Sequence, residues 1–141
     1  MSEAPELYVL DISALLTLIE DEPGADLVQD ILQRSREGKV VVLVSFMSFM
    51  EVYYITLQER DTGEARARVD LMTSLPVLRV ESTDSLGQIA GELKAKQRLS
   101  VADAWIAALA RDRNAVLIHK DPDFEEIKSI QALALPYKVV S

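Results

Sequence analysis

Four carboxylates occupy positions where a negative charge is either costly or well placed to act: Asp11, Glu51, Asp103 and Asp121. Asp11 ends the apolar run Leu7-Tyr8-Val9-Leu10, at the strand-end position where open parallel sheets place their ligands. It could equally cap a helix starting at Ile12. Glu51 is flanked by Phe46, Phe49, Met50, Val52, Tyr53 and Tyr54, which puts it at the edge of a buried helix face, unless it points to solvent or pairs with an arginine. Asp103 is the only polar side chain from Val101 to Ala110, and a helix apolar all round is buried. A charge there is expensive unless it is paired or bound to a metal. The local alternative is a capping box, because Ser100-x-x-Asp103 has the required spacing. Asp121 and Asp123 lie in Ile118-His119-Lys120-Asp121-Pro122-Asp123-Phe124, where either could also make an Asx turn or a helix cap. Gathered at one place, such acids repel one another unless cations occupy the site. An all-oxygen donor set suits one or two Mg²⁺ or Mn²⁺ ions rather than zinc.

The elements that would position these acids alternate in type. Leu7–Leu10 reads as a strand, and Leu15, Leu18 and Ile19 continue at helical spacing to the breaker Glu22-Pro23-Gly24. A second helix carries Val28, Ile31 and Leu32. Val40-Val41-Val42-Leu43-Val44 is β-branched enough for a buried parallel strand. A long helix with Phe46, Phe49, Met50, Tyr53 and Leu57 follows, then another over about 64–74 and a strand over Pro76–Val80. Ser82 or Thr83 caps the next helix, an alanine-rich helix runs from about Ser100 to Asp112, and Ala115–Ile118 is a fourth strand. A short helix at 123–128 and a fifth strand within 130–139 complete the pattern. Regular alternation predicts an α/β/α sandwich around a mainly parallel sheet of about five strands, one domain over 1–141.

Composition narrows the classes. Of the 141 residues, 49% are hydrophobic and 27% charged, and five glycines and five prolines are scattered without tracts, so the chain is globular rather than fibrous or low-complexity. Without cysteine there is no disulfide frame or thiolate metal site, and one histidine excludes a multi-histidine centre. The opening MSEAPELYVLDIS lacks the basic-then-apolar order of a signal peptide, and no apolar run reaches the length of a membrane span. A cytoplasmic location is expected. The net charge of −8 argues against holding nucleic acid or anionic lipid by the average field.

Four blocks in this order resemble the PIN-domain ribonucleases of the VapC toxin type, over nearly the whole chain. They are Val9-Leu10-Asp11-Ile12-Ser13-Ala14-Leu15-Leu16 followed by Glu22-Pro23-Gly24-Ala25, then Ser45 six residues before Glu51, then Ser100–Ala108 around Asp103, and last Leu117–Phe124 around Asp121. One departure is His119, where the family usually has Thr or Ser two residues before its fourth acid. The imidazole can still donate a hydrogen bond, and a surface or supporting place is expected for it rather than direct metal binding.

The resemblance implies metal-dependent hydrolysis of RNA phosphodiesters, leaving 5′-phosphate and 3′-hydroxyl ends, together with a cognate antitoxin and a homodimer. It makes Asp11 and Asp103 the principal metal ligands, Asp121 a further direct or water-mediated ligand, and Glu51 a ligand or water-orienting base. Ser13, His119 and Asp123 would support them. For RNA phosphates the densest basic run is Lys94-Ala95-Lys96-Gln97-Arg98, immediately before the helix bearing Asp103, with Lys120 as a further contributor. Two other readings stand beside this one. A receiver-type phospho-acceptor switch also uses strand-end acids, Mg²⁺ and a lysine, although it pairs two acids near the end of strand one. A non-catalytic module would use the acid pocket only to receive a partner's arginine or lysine.

Overall fold

The computed structural model describes residues 5–137. Five strands, β1 (Glu6–Leu10), β2 (Val40–Ser45), β3 (Leu78–Val80), β4 (Val116–His119) and β5 (Gln131–Ala134), form one sheet in the order β3-β2-β1-β4-β5. Every neighbouring pair is parallel, with Val9 opposite both Leu43 and Leu117. The chain winds outward from β1 to β3, then crosses back to place β4 on the other side of β1. The order of strands therefore reverses at β1 and β4, and the crevice beyond their carboxyl ends is where such sheets bind ligands. Receiver and flavodoxin-like sheets run 2-1-3-4-5, so the sheet order removes the phospho-acceptor alternative.

Strand periodicity divides the core between two faces. Val9, Leu43 and Leu117 point to a layer made by α5 (Asp84–Lys96) and α6 (Val101–Arg113), which Phe124 closes below. Tyr8, Leu10, Val42, Val44 and Ile118 point to the opposite layer, against α1 (Ile12–Ile19), α2 (Ala25–Arg36) and α3 (Phe46–Glu59), with Met72 of α4 (Thr62–Ser74). Side chains cap the helices as their sequences allow: Asp11, Ser45, Asp61, Thr83 and Ser100 each accept a backbone N–H from the first turn. Gly24 enters α2 at φ +105°, and a Cβ there would stand 3.1 Å from Pro136 Cδ, so both conformation and space require glycine.

Two details, the start of β3 and the form of the turn after β4, differ from the sequence reading. β3 begins at Leu78 rather than Pro76, because proline has no N–H to give a ladder. The expected helix at 123–128 is a 3₁₀ turn over Pro122–Glu126, and β5 is an edge strand with all four residues exposed. On α3 the apolar residues split between two sides. Phe49 and Val52 enter the core, whereas Met50, Tyr54 and Leu57, spaced four and three apart, remain 49%, 41% and 41% exposed. Among the described residues, no helix is long and apolar enough to cross a membrane.

Candidate active site

The topological switch is built from two strand ends tied to each other. Asp11, only 1% exposed, caps α1 by accepting the Ala14 N–H at 2.9 Å, and it accepts the Ser13 hydroxyl at 2.6 Å. Ser13 Oγ in turn accepts the backbone N–H of Lys120 at 2.8 Å. A single hydroxyl thus joins the end of β1 to the end of β4 and fixes the Asp11 carboxylate between them. Both bonds to Asp11 fall on Oδ1, so Oδ2 accepts none from the described residues.

Glu51 reaches the same region from α3, its helix held by the Ser45 cap. The side chain is buried, and Oε1 has no hydrogen-bond partner among the described residues. Asp103 comes from the first turn of α6, where Ser100 Oγ accepts its N–H at 3.1 Å. The capping and site readings of Asp11 and Asp103 are therefore compatible: the backbone cap sets where each carboxylate stands. Asp121 caps the 3₁₀ turn by accepting the Asp123 N–H at 3.0 Å, while Asp123 itself is exposed.

The charges of these acids act on one another. Burial first, then the neighbouring Asp103 and Asp121 charges, push the Asp11 carboxyl up to about 7, although the bonds from Ser13 and Ala14 oppose the shift. Burial also raises Glu51 to about 7, helped by Asp103 and Asp11. Asp103 is raised to about 6 by burial, then by Asp121 and, more weakly, Asp123. Asp121 acts on both Asp11 and Asp103, whereas Asp123 is a cause only at Asp103, which puts Asp121 nearer the centre of the cluster.

His119 is buried, not at the surface. It is 0% exposed, its Nδ1 accepts the Asp121 N–H at 3.0 Å, and its ring meets Phe124 edge-to-face at 5.3 Å. The expected donor is therefore an acceptor toward the acid loop, burial lowers its pKa, and its buried Nε2 has no hydrogen-bond partner among the described residues. Lys120 is already engaged with other groups. Its ammonium lies 3.7 Å from Glu22 Oε1 and 3.4 Å from the Pro23 carbonyl, and its side chain is 7% exposed. By contrast Lys94, Lys96 and Arg98 are exposed and make no ion pair among the described residues.

Sequence reasoning passed over the acids beside the centre. A pocket of about 370 Å³ is lined by Ser13, Leu16, Glu20, Glu22, Glu59 and Lys120, and Arg68 on α4 is buried beside it, bonded to Glu20 at 3.2 Å and Glu64 at 3.1 Å. Glu20, Glu22 and Glu59 sit in segments that read only as helix breaks. The repeated placing of acids at those breaks was the available signal.

The donor set fits a hard divalent cation. Its groups are all oxygens, Glu51 Oε1 is buried without a donor, and three carboxylates are held well above their ordinary pKa by burial and by each other. No three His, Asp or Glu side chains among the described residues converge into a preassembled cage.

The sequence matches the PIN domain family over residues 8–130. No curated protein matches it. Among solved structures, VapBC2 from Rickettsia felis, bound to a DNA fragment from their promoter, superposes with a TM-score of 0.76 at 16% identity, covering 92% of this chain and 99% of that one. VapBC-1 from nontypeable Haemophilus influenzae gives 0.70 at 22% identity over 91% and 97% of the two chains. VapC20 from Mycobacterium tuberculosis, a Sarcin-Ricin loop cleaving toxin, gives 0.63 at 20% identity over 84% and 92%. With a family match over most of its length and a sheet that places its acids at the switch between β1 and β4, this chain belongs to the PIN-domain family.

Proposed function

We propose that the protein is a metal-dependent endoribonuclease and the toxin of a VapBC-type toxin–antitoxin pair. The observation that carries this reading is the set of mutually repelling carboxylates, Asp11 and Glu51 buried and Asp103 half-buried, at the topological switch of a PIN sheet. Asp11 and Asp103 would hold Mg²⁺ or Mn²⁺, with Asp121 as a further ligand. Held there, such an ion would supply Lewis-acid polarisation of a phosphoryl oxygen and a more acidic bound water. Glu51, buried with Oε1 free of hydrogen-bond donors among the described residues, would hold or orient that water. Ser13 keeps Asp11 oriented, and His119 holds the loop that carries Asp121. The test is incubation of purified, antitoxin-free protein with mixed RNAs in Mg²⁺, Mn²⁺ or EDTA, followed by mapping of cut ends. Cleavage in EDTA, or none with either metal, would refute it.

The protein partner follows from the same reading. Solved VapBC complexes share the fold, and an acidic centre with Glu59 in the pocket beside it suits a basic side chain from an antitoxin. A homodimer is proposed from the exposed stripe of Met50, Tyr54 and Leu57 on α3, with Leu71 exposed on neighbouring α4. Met50→Glu combined with Tyr54→Glu should shift the antitoxin-free protein from dimer to monomer by light scattering at micromolar concentration. An unchanged mass would remove this face from the interface.

Phosphate binding is assigned to Lys94, Lys96 and Arg98, since Lys120 is already engaged with Glu22 and Pro23. Replacing all three by Ala should raise the RNA Kd by roughly tenfold and lower its salt slope by about two to three. Metal binding should stay near normal. Unchanged affinity and slope would place the phosphate track elsewhere.

A further inference from the structure

We infer that the groove between α5 and α6 is a stacking site for an unpaired RNA base beside the acid cluster, with Trp105 as its platform. The inference rests on the ribonuclease reading for its ligand class, and on separate residues for its geometry. Phe46 follows directly from the end of β2 and meets Trp105 edge-to-face, with ring centroids 5.2 Å apart and planes at 81°. In such a pair Phe46 takes at most one face of the indole. Trp105 is half-buried, and the wall of α5 beside it carries two glycines. A Cβ on Gly87 would stand 3.2 Å from Trp105 Cη2, so glycine lets the ring lie against the helix, while a Cβ on Gly91 would meet nothing within 4 Å. Two adjoining cavities of about 600 Å³ and 190 Å³ share Gly87, Val101 and Trp105, and Val101 is left 59% exposed at their edge.

Position and charge select the occupant. Phe46 and Ser82 lie just past the ends of β2 and β3, so the larger cavity continues along the carboxyl-end rim that carries Asp11 and Asp121. Val101 and Asp103 share the first turn of α6. Lys94 lines the smaller cavity, and with Lys96 and Arg98 it forms a group of exposed cations without ion pairs among the described residues. A strand whose phosphates meet these cations and whose scissile phosphate meets the acids would present a base to Trp105. Flat aromatic platforms bordered by cations are how proteins hold single-stranded nucleic acid.

Trp105 is the only tryptophan, so its emission reports on this groove alone. The experiment uses octa-adenylate and an abasic ribose-phosphate strand of equal length, in Mg²⁺, with a Glu51→Gln background to keep the RNA uncut. The base-bearing strand should quench the emission and the abasic strand should not. Trp105→Ala and Gly91→Leu should each weaken octa-adenylate binding by anisotropy about 5- to 100-fold with the salt slope unchanged, and Trp105→Phe should recover most of it. Gly91→Leu guards against misfolding, because its side chain enters open space and leucine favours a helix more than glycine does. Full RNA affinity in both groove variants, without quenching, would overturn the inference. So would emission that follows protein concentration and ignores RNA, because a second copy would then fill the groove. Base-dependent quenching with no RNA cut by the wild type would keep the groove and refute the ribonuclease reading instead.

Discussion

Asp11→Asn should reduce RNA cleavage by more than ~100-fold, beyond the ~10–100-fold usual for groups that only orient a metal ligand, while leaving the metal-free fold as stable as wild type or more so. The two halves of this result have separate causes. Asparagine caps helices as well as aspartate, and its carbonyl oxygen can still accept from Ser13 and the Ala14 N–H, so the joint between β1 and β4 survives. What disappears is a buried charge that Asp103 and Asp121 oppose. Asp103→Asn should behave alike. Ser13→Ala keeps the charge and loses its orientation, so it should fall within the ~10–100-fold range. Thermal melts with and without Mn²⁺ supply the second readout: ion binding stabilises the native state by mass action, and the gain should shrink in both Asp variants. Equal metal stabilisation of wild type and variants would remove Asp11 and Asp103 from the site even if cleavage were lost.

The parts of this molecule that could be read in advance are those where one residue's environment is written in its own neighbourhood. Val40–Val44 is unmistakable because a strand buried on both faces needs an unbroken apolar run. β5 is faint because Gln131–Ala134 is exposed throughout and has no alternation to display. The acids divide in the same way. Asp103 stands out against nine apolar neighbours in Val101–Ala110, and Asp11 against the end of a strand. Glu20 and Glu59 come beside Ser13 only through the packing of α1 and α3. His119 and Lys120 show the limit most clearly. Each lies within two residues of Asp121 in sequence, but the imidazole is buried against Phe124 and the ammonium goes to the turn at Glu22 and Pro23. The groove at Trp105 depends on pairing Gly87 and Gly91 of α5 with α6, a tertiary fact that no single segment contains.

Metal-free protein should lose stability as pH rises from about 5 to 8, opposite to the usual behaviour of ion-paired carboxylates. Asp11 and Glu51 are raised to about 7 and Asp103 to about 6, whereas the unfolded chain titrates near 4. Between those limits the native state binds more protons than the unfolded state, so stability falls with increasing pH. The contribution is fully present only below the unfolded values and is lost as pH passes the folded ones. Because the three groups repel one another, their protons leave in shared steps across the window rather than one residue at a time. One pKa unit corresponds to ~1.4 kcal/mol. A fall in Tm of roughly 5–10 °C, about 2 kcal/mol, is expected in EDTA, because the lowered pKa of buried His119 and the shared titration of the acids offset much of their summed shifts. Glu51→Gln should flatten the profile, since its amide stays neutral throughout. Mn²⁺ should restore the loss at pH 8 and do little at pH 5, where protons compete for the same oxygens. The decisive comparison is the difference in melting profile between wild type and Asp11→Asn across this range, which cancels the titration of the surface acids. If the two profiles run parallel, Asp11 is ionised in the metal-free protein at pH 5, and the repulsion that makes this cluster a cation site is absent.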